Sequence, residues 1–251
     1  MSINIKEKVD EIRHEGFCIL RRHLPRDLMQ ACNEAFAPIL QDHATEIADN
    51  PNRGPMRHYI SLPFKPPFYD RRIFDDDAIH AILAEILGAD LVMSQFATDT
   101  PQNGSVHQDV HADLAPLFPE DPALIVPPAI IAVNYPFVDV TPERGPFEVA
   151  RGSHLLPKEE ALQKIAAGEI PLEPLLSETG DVLIRNPLCL HRGSPNCTDT
   201  PRPVAVIGCH RSWLYRHNHV RQSPMQRRKG WKDTAPSGVD IQPRVHPTPT
   251  H

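Results

Sequence analysis

The sequence predicts a mainly β fold, in which short strands close into a barrel or jelly roll with helices along its flank. Three observations carry this reading. Helical periodicity is confined to the first 88 residues and one later stretch. From residue 90 onward, short apolar runs alternate with Gly, Pro, Asn and Asp turns. The 28 prolines among 251 residues break helices and border short strands.

The elements follow in order. Apolar Ile5, Val9 and Ile12 at helical spacing predict a helix over 4–15, ended by Gly16. "FCILRR" (17–22) reads as a short strand, and 25–40 as a second helix with proline near its first turn. Residues 49–70, rich in Pro, Arg and aromatics, read as an ordered loop. A helix over 76–88 is capped by aspartates and stopped by Gly88. Strands are expected at 90–97, 105–111, 129–137, 146–150, 181–185 and 203–210, with one helix at 157–167. From about 216 the chain turns basic, proline-rich and poor in apolar residues, which suits a surface extension or lid. The expected plan is one domain over 1–251: helical support (1–88), β core (89–215) and C-terminal extension (216–251).

Composition removes several function classes. A net charge of −6 gives no reason to expect nucleic acid or an anionic membrane as partner. No apolar run approaches the ~18 residues of a membrane span. The N-terminus "MSINIKEKVDEIRHEG" lacks the apolar centre of a signal peptide. Five dispersed cysteines fit buried thiols in a reducing cytoplasm better than a disulfide framework or zinc knuckle.

The chemistry concentrates in "SVHQDVHADLAPL" (105–117), where His-X-Asp occurs twice, as His107-Gln108-Asp109 and His111-Ala112-Asp113. On a strand, residues i and i+2 share a face about 6–7 Å apart, so either triplet can bring an imidazole and a carboxylate to one ion. A third ligand has to come from elsewhere in the chain. "GDVLIRNPLCLHRGSPNCTDTPRP" offers His191, with Arg202 eleven positions later. An arginine entering a barrel strand can hold a carboxylate with two parallel bonds.

These segments resemble the phytanoyl-CoA dioxygenase family of iron(II)/2-oxoglutarate oxygenases, over about residues 10–215. "HEGFCILRRHLP" resembles its helix-to-strand start and "VHQD" its first metal motif. "VNYPFVDVTPERGPFEVARGSH" resembles a strand-turn-strand segment ending in Gly-Ser-His, and "LHRGSPNCTDTPRP" the second metal histidine and the 2-oxoglutarate arginine. The resemblance implies a double-stranded β-helix, a cupin-like jelly roll. It implies iron held by His107, Asp109 and His191, and 2-oxoglutarate held at its far carboxylate by Arg202. His111 and Asp113, one step along the same face, are then left to substrate or water. Asn134, Gln95 and Ser194 are expected near the co-substrate, each with a plain structural role as its competing reading. His154 in "RGSH" has no metal role in the family and reads as a turn histidine; Arg151 stands where the family often has proline. Arg53, Arg57, His58, Arg211, Arg216, His217 and His219 form a basic set, either a solvated surface or the rim of a pocket for an anionic substrate.

The implied activity is hydroxylation of a small organic metabolite with O2, releasing succinate and CO2, with desaturation and ring formation left open. An intact carboxylate ligand excludes a halide-binding variant of such a site. The loop 49–70 and the chain beyond 216 are the expected closing elements. A zinc hydrolase would give Arg202 no role, and a catalytically silent β-helix sensor is the non-enzymatic alternative.

Overall fold

The computed structural model describes residues 3–44, 53–118, 120–121 and 123–214. Helix α1 (Ile5–Glu15) starts where Asn4 Oδ1 accepts the Glu7 N–H and stops at Gly16, whose φ of 91° suits glycine. Strand β1 (Phe17–Leu20) and helix α2 (Arg26–Asp42) follow. After β2 (Arg57–Ser61) come the one-turn helix α3 (Arg71–Phe74) and α4 (Asp77–Leu87), the latter capped by the Asp76 carboxylate. The β core comprises β3 (Val92–Pro101), β4 (Ile130–Pro136), β5 (Phe147–Val149), β6 (Glu173–Leu175), β7 (Val182–Arg185), β8 (His191–Gly193) and β9 (Val204–His210). Helix α5 (Lys158–Ala166) lies between β5 and β6.

The strands form two antiparallel sheets, one ordered β1-β7-β4-β9-β3-β2 and one ordered β6-β5-β8. Every residue of β4 and β9 is buried, so both faces of the large sheet are covered at its centre. One face meets the helices. Ile131, Val133 and Tyr135 of β4 and Ala205, Ile207 and Cys209 of β9 join Ile12, Met29, Phe36, Ile82 and Leu87 in a single apolar core. The alternating residues point the other way. Register puts Tyr59 opposite Asp99, Asp99 opposite Val204, and Ala132 opposite Arg185 on that second face. It looks onto the small sheet: the Arg57 guanidinium donates to the Ser194 carbonyl at 2.7 Å, and Arg185 lies over the Phe147 ring.

Several expectations need correction. The segment 105–111 is no strand; it is irregular, and meets β8 through an isolated bridge between His111 and His191 and the bonds of Gln108 to Gly193. The expected loop 49–70 contains β2, and β6 and β8 also escaped the sequence reading. The N-terminal third is therefore more than helical support, because β1 and β2 form the two edges of the large sheet. The extension over 216–251 lies outside the described residues.

Candidate metal centre

The centre is built where the 105–113 segment runs beside β8. Gln108 N–H donates to the Gly193 carbonyl at 3.0 Å, and Gly193 N–H returns a bond to Gln108 Oε1 at 3.0 Å. Further along, His111 and His191 exchange both backbone hydrogen bonds at 2.9 Å. Such a pair carries its side chains on one face, close together, and the two imidazole centroids are 4.5 Å apart. Asp113 N–H then donates to the Pro187 carbonyl at 3.0 Å, which ties the segment to the connection between β7 and β8.

His111, Asp113 and His191 are the His/Asp/Glu/Cys group that can hold a metal among the described residues, with one ligand atom from each lying within 4.8 Å of the others. Asp113 Oδ1 stands 3.9 Å from His111 Nε2 and 3.5 Å from His191 Nε2. Both rings have their other nitrogen occupied in the same way. His111 Nδ1 donates to the Asp109 carbonyl at 2.7 Å and His191 Nδ1 to the Cys189 carbonyl at 2.8 Å. Those bonds set the tautomer and leave both Nε2 lone pairs facing the carboxylate. Burial, and then the nearby Arg185, lower the His191 pKa and keep the ring neutral. Burial works to raise the Asp113 carboxyl, yet the Arg185 guanidinium beside it outweighs that and holds it well below the usual carboxylate range. Two imidazole nitrogens and an ionised carboxylate suit a divalent transition metal.

The sequence expectation of His107 and Asp109 is thereby corrected. Both are exposed, and neither belongs to the cluster. His107 lies four residues before His111 in an irregular segment, outside the group that converges with His191. The triplet whose imidazole and carboxylate converge with His191 is the second one.

A second charged group occupies the same interior. Arg57 Nη1 is 3.2 Å and Arg202 Nη2 3.7 Å from Asp99 Oδ2, and both arginines are buried. Burial lowers the Arg202 pKa to about 10, still cationic at neutral pH. Arg57 packs so closely on β8 that a Cβ at Gly193 would lie 2.5 Å from its guanidinium carbon. Gln95 donates to the Tyr59 hydroxyl, and Arg53 lies 4.6 Å over the Tyr59 ring. Asn134 is 8% exposed on the inward face, its Oδ1 without a hydrogen-bond partner.

The remaining expected residues divide. Ser194 donates its hydroxyl to the Pro146 carbonyl at 2.8 Å, a turn duty. His154 bonds the Arg13 carbonyl at the end of α1, also structural. Arg211 is spent on the carbonyls of Ile86, Leu87 and Pro128, which removes it from any pocket rim. His58 is buried, its pKa lowered by that burial. Arg216, His217 and His219 lie outside the described residues. Sequence reasoning passed over Arg185 and Asp99. For Arg185 a signal existed: in "DVLIR" it shares the parity of Leu183, opposite to the core residues Val182 and Ile184.

A family model described as phytanoyl-CoA dioxygenase (PhyH) matches residues 12–204. Among solved structures, the fold is similar to the non-heme alpha ketoglutarate dependent carbocyclase SnoK from nogalamycin biosynthesis. That likeness has 18% identity and a TM-score of 0.63 and covers 88% of this chain and 90% of that one. HygX from Streptomyces hygroscopicus, solved with nickel and 2-oxoglutarate, matches at 20% identity and a TM-score of 0.60, with 85% and 89% covered. EctD from S. alaskensis, solved with bound Fe, matches at 18% identity and a TM-score of 0.62, with 82% and 76% covered.

Proposed function

This chain belongs to the phytanoyl-CoA dioxygenase family, and from that premise we propose that it is an iron(II)- and 2-oxoglutarate-dependent oxygenase that hydroxylates a small organic molecule. The observation that carries the reading is the convergence of His111 Nε2, His191 Nε2 and Asp113 Oδ1 on one point, with both imidazole Nδ1 atoms already committed to carbonyls. These three residues hold the iron. Iron held by only these three residues would still have room to take up a keto acid and O2. Arg202 takes the far carboxylate of 2-oxoglutarate, with Arg57 beside it as a second guanidinium that shares Asp99. When bound, iron and keto acid supply the oxidation, in which O2 and 2-oxoglutarate become succinate, CO2 and one oxygen atom inserted into a substrate C–H bond.

The chain's own part is placement and exclusion of water. The neutral His191 ring and the ionised Asp113 are ready to bind without a proton change. Asn134 and the Gln95–Tyr59 pair furnish further hydrogen-bonding groups on the inward face. The carboxylate of Asp113 fills the place a halide would need. No described helix is long and apolar enough to cross a membrane, and the five cysteines are all unpaired, which supports a reducing compartment.

The test is anaerobic titration of apo-protein with Fe(II) and then 2-oxoglutarate, following the weak visible band that chelation to iron produces. The band is expected in wild type and in Asp109→Ala and is expected to vanish in Asp113→Ala. Loss in Asp109→Ala alone would return the site to the first triplet. No band in wild type, with tight zinc binding instead, would replace the oxygenase by a hydrolase.

A further inference from the structure

Arg185 closes β7 on the inward face, 8% exposed, in a place where a strand of this sheet has no structural need of a charge. Its Nη1 is 2.8 Å from Asp113 Oδ2, the oxygen turned away from the two imidazoles. Its guanidinium carbon is 4.9 Å above the centre of the Phe147 ring, and the same ring lies 4.6 Å from that of His191. The guanidinium thus lies over an aromatic face at the edge of the metal position. Yet Nε is buried with no acceptor in hydrogen-bonding geometry, and Nη1 is paired by charge with Asp113 but not aligned on it. A buried guanidinium N–H without an acceptor is costly unless a partner arrives.

The charges say what that partner is. Among the described residues of the interior, Arg57 and Arg202 share the single carboxylate of Asp99, leaving one positive charge there. The far carboxylate of a keto acid neutralises it. Arg185 and Asp113 cancel. A divalent ion on the triad adds two positive charges, and the metal-side carboxylate of the keto acid removes one. One positive charge remains beside the metal, next to Arg185. Low-dielectric surroundings make that excess a strong attractor for a single anion.

We propose that Arg185 is a carboxylate seat at the edge of the metal centre, and that the carboxylate it receives belongs to the organic substrate. The inference rests on the metal reading above and extends it to substrate class: a small carboxylic acid, held so that a carbon close to its carboxylate faces the metal. The metal-side carboxylate of the keto acid has the same chemistry and is the second source to be separated. Tetrahedral dianions such as phosphate esters fit less well, because the excess is one charge.

The experiment compares wild type, Arg185→Gln, Arg185→Lys and Arg202→Gln under anaerobic conditions, with thermal melting as a check on folding. Each protein is titrated first with Fe(II). The iron complex is then titrated with pyruvate, a keto acid lacking the far carboxylate, and separately with 2-oxoglutarate. Acetate is titrated last into the iron–2-oxoglutarate complex, and the shift of the visible band is read.

A cation beside a metal site weakens metal binding, so Arg185→Gln is expected to bind Fe(II) at least as tightly as wild type while losing roughly tenfold or more in acetate affinity. Arg185→Lys restores part of that loss. Arg202→Gln loses 2-oxoglutarate affinity and keeps pyruvate binding. If Arg185→Gln loses pyruvate and 2-oxoglutarate affinity by one common factor and acetate binding is unchanged, the seat exists but serves the keto acid, and the substrate assignment is overturned. Unchanged binding of all three anions in Arg185→Gln overturns the seat altogether. So does a parallel loss of iron and anion binding with a lowered melting point that Arg185→Lys leaves uncorrected, which is the mark of a structural residue. Wild type that binds no Fe(II) refutes the metal reading instead, and is recognised at the first titration.

Discussion

The two faces of the large sheet are buried alike and composed oppositely. Toward the helices, β4 and β9 present Ile131, Val133, Tyr135, Ala205, Ile207 and Cys209. Toward the small sheet the same strands and their neighbours present Asn134, Arg185, Arg57 and Asp99, with Arg202 just ahead of β9. One residue of displacement along a strand changes a hydrocarbon for a guanidinium. The difference teaches how the molecule separates two tasks. Apolar burial on one face stabilises the sheet without directional demands. The other face carries charges that would be prohibitive singly and are tolerable because Asp99 joins two arginines and Asp113 joins a third.

If the tasks are separate, variants on the two sides fail differently. Ile131→Ala, at a position with 0% exposure, is expected to cost about 2–5 kcal/mol and lower the melting point by roughly 4–20 °C. The protein that remains folded should still bind Fe(II) normally. His111→Ala reverses the pattern: Fe(II) affinity falls by at least about 100-fold, beyond the cost of losing a ligand's supporting partner, while the apo-protein melts nearly as wild type. Melting curves and Fe(II) titrations on both variants make the comparison. A substantial loss of iron affinity in folded Ile131→Ala would show that the faces are coupled.

The same contrast explains what could be read in the chain. Helix ends were legible because their signals are local: Gly16 after α1, and Asp76 and Gly88 around α4. Strands β4 and β9 were legible as continuous apolar runs with turns on either side. Strand β2 was not, since its inward residues Arg57, Tyr59 and Ser61 serve the interior and spoil the β pattern. The site was half legible. His-X-Asp, His191 and Arg202 stood out, but choosing between two triplets four residues apart depends on register with β8. That register is set by the His111–His191 bridge, across 80 positions of sequence (191 − 111), and by the bonds joining Gln108 to Gly193. Local pattern carries no trace of it.

Gly193 offers a finer test, because it joins the two sheets rather than belonging to either face. A methyl group there would meet the Arg57 guanidinium at 2.5–2.6 Å, so the end of that flexible side chain must shift. Gly193→Ala is expected to fold with little loss of stability and to bind Fe(II) as wild type. Its affinity for 2-oxoglutarate should fall by roughly tenfold, about 1.4 kcal/mol, while pyruvate binding is unchanged. Equal weakening of both keto acids would place the Arg57 group outside the far-carboxylate pocket.

The smallest expected effect is on pH dependence, and it too should belong to one side. On the helix face, burial pushes the Cys209 thiol up to about 12 and the Tyr135 hydroxyl well above its ordinary value, so neither titrates near neutrality. On the other side the folded protein holds the His191 ring neutral, below its ordinary 6.5, through burial and then Arg185. Below about pH 6.5 the unfolded chain therefore binds more protons at this residue, and stability falls as the pH falls, by at most about 1.4 kcal/mol per pH unit from one group. Asp113 is silent over that range: its depressed pKa contributes stability that is present above the ordinary carboxylate value of 3.8 and lost only in stronger acid. His58 and His154, also lowered by burial, add slopes of the same sign. The His191 share is isolated by comparing melting points of apo wild type and apo His191→Gln between pH 7 and pH 5. A shallower slope in the variant assigns it to the metal side of the sheet, and identical slopes would leave His58 and His154 to account for the whole.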